Sequence, residues 1–405
     1  MTAGPVGSPH RQKDLMPGYR YIPLAVVTSA IIVLGATGAV LTAGGAVTNA
    51  GGTPAPPAAP PVLEIIEGDE EPTLDEVCQP DLPAPDVEPW AAENAAASEA
   101  TWQQNAEALA QPYLLGENGF VFWGDIQNNN IAQALGRRTL NADELQLWVD
   151  SLRTVRDELE ADGIDFVIVP GPGKWDVYPE LLPDWARSID GSGPLEQLLQ
   201  AAPDLPIIDV RADLRAAAQQ DQVYSSVNSH WSDYGAWVGW QSIVECLATV
   251  DPRFATISAP AITGIDFVQG GNEFGGWGFE AAEPDWSIPL LAAPLTPVEV
   301  TIDGRATETR GDEQRIGLEE MPSTVRNPEA ALDETVLLLR DSMGTSLTPW
   351  IQQAFSEVRQ MRHAFDLGDP AGIPDIAATA RDAGATVVIL QFAQRHLNAP
   401  PDLRS

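Results

Sequence analysis

From residue 140 onward, the hydrophobic positions switch repeatedly between helical spacing and short unbroken runs. Leu145, Trp148, Val149, Leu152, Val155 and Leu159 recur at helical intervals behind Asn141 and Glu144, which stand where a capping box belongs. This predicts a helix running to about Asp162, stopped by Gly163 and followed by the buried strand Phe166-Val167-Ile168-Val169-Pro170. The alternation continues with a helix over 195–201, a strand over 207–210, a helix over 212–219 and a helix from Trp231. Then come a strand over 335–339, a helix through 348–362, a helix over 376–383 and a strand over 386–390. Continuous apolar strands alternating with helices predict an α/β fold: a parallel sheet with helices on both faces. The stretch 264–327 breaks this rhythm. It is rich in Gly and Pro, holds a hairpin signal in 298–304, and is expected to be an irregular insertion flanking the site.

Ahead of this region the pattern is different. Residues 21–63 carry no charge, and 22–42 are apolar enough for a helix of about 20 residues to cross a bilayer. Arg11, Lys13 and Arg20 against Asp14 place the N-terminus in the cytoplasm. A cleaved signal peptide competes with this reading, but its apolar core is normally about 7–15 residues, shorter than this one. The organisation expected is a cytoplasmic tail (1–20), a transmembrane signal anchor (21–43), a Pro/Ala-rich acidic linker (44–98) and an extracytoplasmic domain (99–405). Cys78 and Cys246 fit an oxidising exterior and are expected to form a disulfide pinning the linker to the domain. Cys246 falls off the apolar stripe formed by Ala236, Trp237, Trp240, Ile243, Val244 and Leu247.

The chain has 58 acidic and 22 basic residues, a net charge of -36, and its lysines are Lys13 and Lys174. Such a surface repels nucleic acid and polyanionic glycans, leaving a neutral sugar polymer or small ester as the easier partner. The histidines have no paired spacing and the cysteines no cluster, so neither a metal site nor any other cofactor is expected. The chemistry worth weighing lies in Asn228-Ser229-His230-Trp231 and Arg340-Asp341-Ser342-Met343-Gly344. Ser342 follows a strand and precedes a helix, and His230 stands before another helix, two residues after an amide. These are parts from which a nucleophilic triad is built. A serine there is equally a plain helix cap.

Four segments together carry a resemblance: Gly116-Glu117-Asn118-Gly119-Phe120, Lys174-Trp175-Asp176-Val177-Tyr178-Pro179-Glu180, the Asn228–Trp231 run and Arg340-Asp341-Ser342. In order and spacing they resemble the SGNH-hydrolase-like domain of the alginate O-acetyltransferase family, over about 114–397. The resemblance implies Ser342 as nucleophile and His230 as general base, with Asn228 where the family has aspartate. It also implies acetyl transfer to, or removal from, an envelope exopolysaccharide, with a multi-span membrane acyltransferase as acetyl relay. A catalytically weak glycan-binding scaffold is the alternative. Lys174, Tyr178 and Arg395 are candidate substrate contacts, and Trp277, set among glycines, is a candidate sugar platform. Two positions depart from the family pattern: Arg340 replaces a turn glycine, and the Asn228 amide lacks the aspartate's charge, for which Asp233 is the nearby candidate source.

Overall fold

The computed structural model describes residues 78–79, 87–365 and 372–400. The predicted cytoplasmic tail, the membrane-spanning segment 21–43 and most of the linker lie outside the described residues. Among the described residues no helix is long and apolar enough to cross a membrane. Among the described residues from 87 onward the first helix is α1 (Ala95–Gln104), and before it the Trp90 indole donates to the Leu135 carbonyl.

The capping box at Asn141 and Glu144 forms and opens α2 (Ala142–Ala161). The other main helices are α3 (Pro194–Ala201), α4 (Arg211–Ala218), α5 (Asp233–Val250), α6 (Thr348–Ala354) and α7 (Ile376–Ala383). Strands β1 (Tyr113–Leu115) and β2 (Val121–Trp123) form a small hairpin. The remaining strands are β3 (Asp165–Gly171), β4 (Ile262–Val268), β5 (Trp286–Leu291), β6 (Val298–Ile302), β7 (Glu308–Arg310), β8 (Ser323–Arg326), β9 (Leu332–Arg340), β10 (Phe355–Arg362) and β11 (Val387–Ala393).

Seven of them make one sheet in the order β3-β11-β9-β10-β8-β6-β7. The first four run parallel, as expected, but β8, β6 and β7 pair antiparallel, so the sheet is mixed rather than parallel. Side chains alternate across it. Val167, Val336, Leu338 and Ile389 point to the face covered by α5 and α6. Phe166, Leu337, Leu339 and Leu390 point to the face covered by α2, α3 and α7.

Three expectations are corrected. Residues 355–362 form β10 instead of prolonging a helix. Their helix-favouring Glu, Arg, Gln and Met yield to pairing with β9 on one side and β8 on the other. Residues 207–210 make only an isolated bridge, Ile168 to Ile207, because Pro206 has no N–H and the Asp209 N–H goes to the Cys78 carbonyl. The stretch 264–327 is not an irregular appendage: it holds the β4–β5 ribbon and supplies three strands of the main sheet. A small core of Val298, Val300, Ile316 and Val325 packs there. Cys246, despite its position off the stripe, is buried in the core and disulfide-bonded to Cys78, with Cα atoms 5.5 Å apart.

Candidate active site

Strand β9 lies between β11 and β10, and its carboxyl end delivers Arg340, Asp341 and Ser342 to the sheet rim. Ser342 opens a 3-10 turn, Ser342–Leu347, that runs into α6. Asp341 fixes the turn: one carboxylate oxygen accepts the Met343 N–H at 2.8 Å and the other the Ala393 N–H at 2.7 Å, joining the ends of β9 and β11. Burial works against ionisation of this carboxyl, yet His363 and His396 hold it well below the usual carboxylate range. Their ring nitrogens stand 3.5 and 3.2 Å away, and the two backbone donors act in the same direction. Arg340, where a tight turn was expected, is wholly buried. Its guanidinium donates to the Asp341 and Ile316 carbonyls, Thr345 Oγ1 and Gln360 Oε1, and so braces the turn. Burial pushes it down to about 10. Gly344 answers a close approach: a Cβ there would meet Gln391 Oε1 at 2.5 Å and Arg340 Cδ at 2.7 Å.

His230 arrives on the loop before α5, which Ser232 caps by accepting the Gly235 N–H. The neighbouring Trp231 is fully buried and its indole donates to the Met343 carbonyl at 2.7 Å, so the residues beside histidine and serine are bonded to each other. His230 Nε2 stands 2.9 Å from Ser342 Oγ. On the other side of the ring, Nδ1 stands 2.9 Å from Asn228 Oδ1. The orientation of that amide is settled: Asn228 Nδ2 donates to the Gly271 carbonyl at 2.7 Å, and Oδ1 accepts the His230 backbone N–H at 2.9 Å. Nδ1 therefore carries the ring proton, and Nε2 is free to accept from serine.

Ser342, His230 and Asn228 thus come together at one wall of a cleft of about 750 Å³. The other candidates do not join them there. Lys174 is buried, donating to the carbonyls of Ser225, Ser226 and Asn228 at 3.1, 2.9 and 2.9 Å, and burial pushes its ammonium down to about 7. Its place is under the histidine loop. The Tyr178 hydroxyl, pushed up to about 12 by burial, accepts the Val223 N–H. Trp277 is 45% exposed and packs on Tyr113 and Trp123, with ring centroids 5.9 and 5.7 Å away, outside the cleft lining. Arg395 lies on the turn after β11, also outside that lining. Asp233 is turned from the imidazole: it holds Arg315 at 3.2 Å and accepts from Ser346 Oγ at 2.7 Å.

One residue near the ring was not anticipated. Glu273, in the 264–327 stretch, places Oε1 3.2 Å from His230 Nδ1, while its Oε2 accepts the Ser229 N–H at 2.6 Å. Burial raises this carboxyl, but the hydrogen bonds and charge from His230 and Ser229 outweigh it and hold the group at about 2. Nothing in spacing or periodicity distinguishes Glu273 among 58 acidic residues. The one available signal was the lack of a carboxylate at position 228.

Comparison with known proteins agrees with this architecture. Residues 132–266, which include Asn228 and His230 and stop short of Ser342, match the family model of the SGNH hydrolase-like domain, acetyltransferase AlgX. PatB1 of Bacillus cereus, solved with a sulfonyl adduct, aligns over 72% of this chain and 97% of its own at 14% identity, with a TM-score of 0.51. The O-acetyltransferase domain of Pseudomonas putida AlgJ aligns over 71% of this chain and 92% of its own at 17% identity, with a TM-score of 0.40. No curated protein sequence matches the chain. Over residues 132–266, a third of its length, the chain is thus similar to the SGNH hydrolase-like domain of the acetyltransferase AlgX family model.

Proposed function

We propose that this domain transfers an acetyl group to, or removes one from, hydroxyls of an exported envelope polysaccharide through a covalent ester on Ser342. The observation that carries the reading is the 2.9 Å approach of His230 Nε2 to Ser342 Oγ, with the ring proton held on Nδ1 by fixed acceptors. Nε2 takes the serine proton as Oγ attacks the acetyl carbonyl of a donor ester. The tetrahedral intermediate collapses to acetyl-serine, and Nε2 returns that proton to the departing alcohol. A sugar hydroxyl then gives its proton to Nε2 and attacks the acetyl-serine carbonyl, and on collapse Ser342 Oγ recovers the proton. With water as acceptor, the same steps give deacetylation.

The net charge of -36 favours a neutral glycan over a polyanionic one. The proposed setting is a single-pass membrane protein with this domain outside the cell, supplied with acetyl groups by a multi-span membrane acyltransferase. The test uses the purified full-length protein with 4-nitrophenyl acetate. Acetate release and an acetylated Ser342 peptide are expected from the wild type and not from Ser342→Ala; identical behaviour of the two would end the proposal. A glycan-binding scaffold without turnover is the second reading, favoured by the exposed Trp277. It requires glycan binding that survives Ser342→Ala and is lost with Trp277→Ala.

A further inference from the structure

We propose that Glu273 is the charged partner of His230: the carboxylate that a serine–histidine pair needs comes from the segment 270–285, while Asn228 keeps the orienting role alone. Two duties normally joined in one aspartate are here divided. The first is to hold the imidazole in the correct tautomer; the second is to offset the positive charge that appears on the ring when Nε2 takes the serine proton.

Asn228 performs the first duty through its Oδ1, which faces both Nδ1 and the His230 backbone N–H. An amide in place of the triad aspartate is costly largely because it favours the wrong tautomer. That fault is absent here, because Nδ2 is committed to the Gly271 carbonyl and cannot turn toward the ring. What the amide lacks is charge, and a carboxylate oxygen lies 3.2 Å from the same nitrogen.

Glu273 is held for the task at two further points. Its Oε2 accepts the Ser229 N–H at 2.6 Å, and its own N–H donates to the Val227 carbonyl at 3.1 Å. From the same segment, Asp285 accepts Ser225 Oγ at 2.8 Å and both the backbone N–H and the hydroxyl of Ser226 at 2.6 Å. Segment 270–285 therefore wraps the whole 225–230 loop, which gives this insertion a job. The other charged groups around the ring do not substitute. Asp233 is engaged by Arg315 and Ser346, while Asp312, Glu313 and Arg315 line the open cleft. Lys174 lies beneath the loop on its carbonyls.

The proposal rests on the acyl-transfer reading for its rate measurement only, so the experiment has two arms on full-length protein. In the first, the His230 ring is titrated by NMR with labelled histidine, assigned through His230→Ala. Glu273→Gln is expected to move the ring's titration to lower pH, the direction in which removing an opposite charge 3.2 Å from Nδ1 acts. In the second arm, kcat/KM for 4-nitrophenyl acetate is measured against pH. Glu273→Gln is expected to lose about a hundredfold or more, with the acidic limb displaced to lower pH. Asn228→Asp in the Glu273→Gln background is expected to restore most of the rate by returning the charge to the other acceptor position. An unchanged titration in Glu273→Gln overturns the proposal. A rate loss that Asn228→Asp leaves unrepaired also overturns it, and marks Glu273 as a brace for the Ser229 N–H. If the wild type neither hydrolyses the ester nor acylates Ser342, the acyl-transfer reading fails on its own and the titration alone decides the role of Glu273.

Discussion

Replacing Cys78 and Cys246 together by alanine removes a link that closes a loop with a sequence separation of 168. In the chain-entropy treatment the denatured ensemble then regains roughly 17 cal/mol/K, about 5 kcal/mol at 25 °C. Both sulfurs are buried, with the cysteines 4% and 6% exposed, and Cys246 sits on α5, the helix that follows the His230 loop. Truncating two buried thiols adds about 1 kcal/mol each from lost packing. Against a usual domain stability of about 5–15 kcal/mol, this is a third or more of the total. The assay is urea unfolding followed by tryptophan fluorescence. Oxidised wild type, wild type reduced with dithiothreitol and the double variant are compared. Reduction isolates the cross-link, since it leaves both sulfurs in place. A stability difference of about 3–5 kcal/mol between oxidised and reduced protein is expected. A difference under about 1 kcal/mol would contradict the reasoning, whether because the bridge does not form or because the reduced chain stays constrained.

Other expectations follow from the same contacts. Asp341→Asn leaves at least one of the Met343 and Ala393 donors facing an amide N–H, and should cost about 2–4 kcal/mol in urea unfolding at neutral pH. Because the folded-state pKa of Asp341 is depressed, its stabilisation is present above about pH 4 and is lost as pH falls through the folded value; Asp341→Asn should lose that part of the acid dependence. Lys174→Met strands three carbonyls under the histidine loop, so kcat should fall with KM for a small ester nearly unchanged; a selective rise in KM would make Lys174 a substrate contact after all. Trp231→Phe keeps the buried ring but loses the indole bond to Met343, and should lower kcat by about tenfold with a stability loss near 1 kcal/mol.

Much of the scaffold was legible because local chemistry and tertiary outcome agree. The Asn141 and Glu144 cap, the apolar stripe of α2 and the continuous runs of β3, β9 and β11 all signal their state within a few residues. The pair Ser342 and His230 was legible for a related reason: each stands at an element boundary, where backbone geometry is predictable. β10 was not, because its Glu, Arg and Gln favour a helix until β8 and β9 claim its backbone from both sides. Neither was the antiparallel half of the sheet, whose short strands carry little periodicity. Lys174 looked like a cleft residue because it follows β3, yet its long stem turns inward to three carbonyls. Glu273 was hidden for the most general reason. Its partner is 43 residues away on a non-periodic segment, so only the fold brings the charge to the ring.

The most direct test of the account is intact-protein and peptide mass spectrometry after brief exposure of the full-length chain to 4-nitrophenyl acetate, quenched in acid. The account predicts one added acetyl group on the peptide carrying Ser342, absent in Ser342→Ala and greatly slowed in His230→Ala. An acetyl group found elsewhere, or labelling of Ser342 that proceeds equally well without His230, would contradict it.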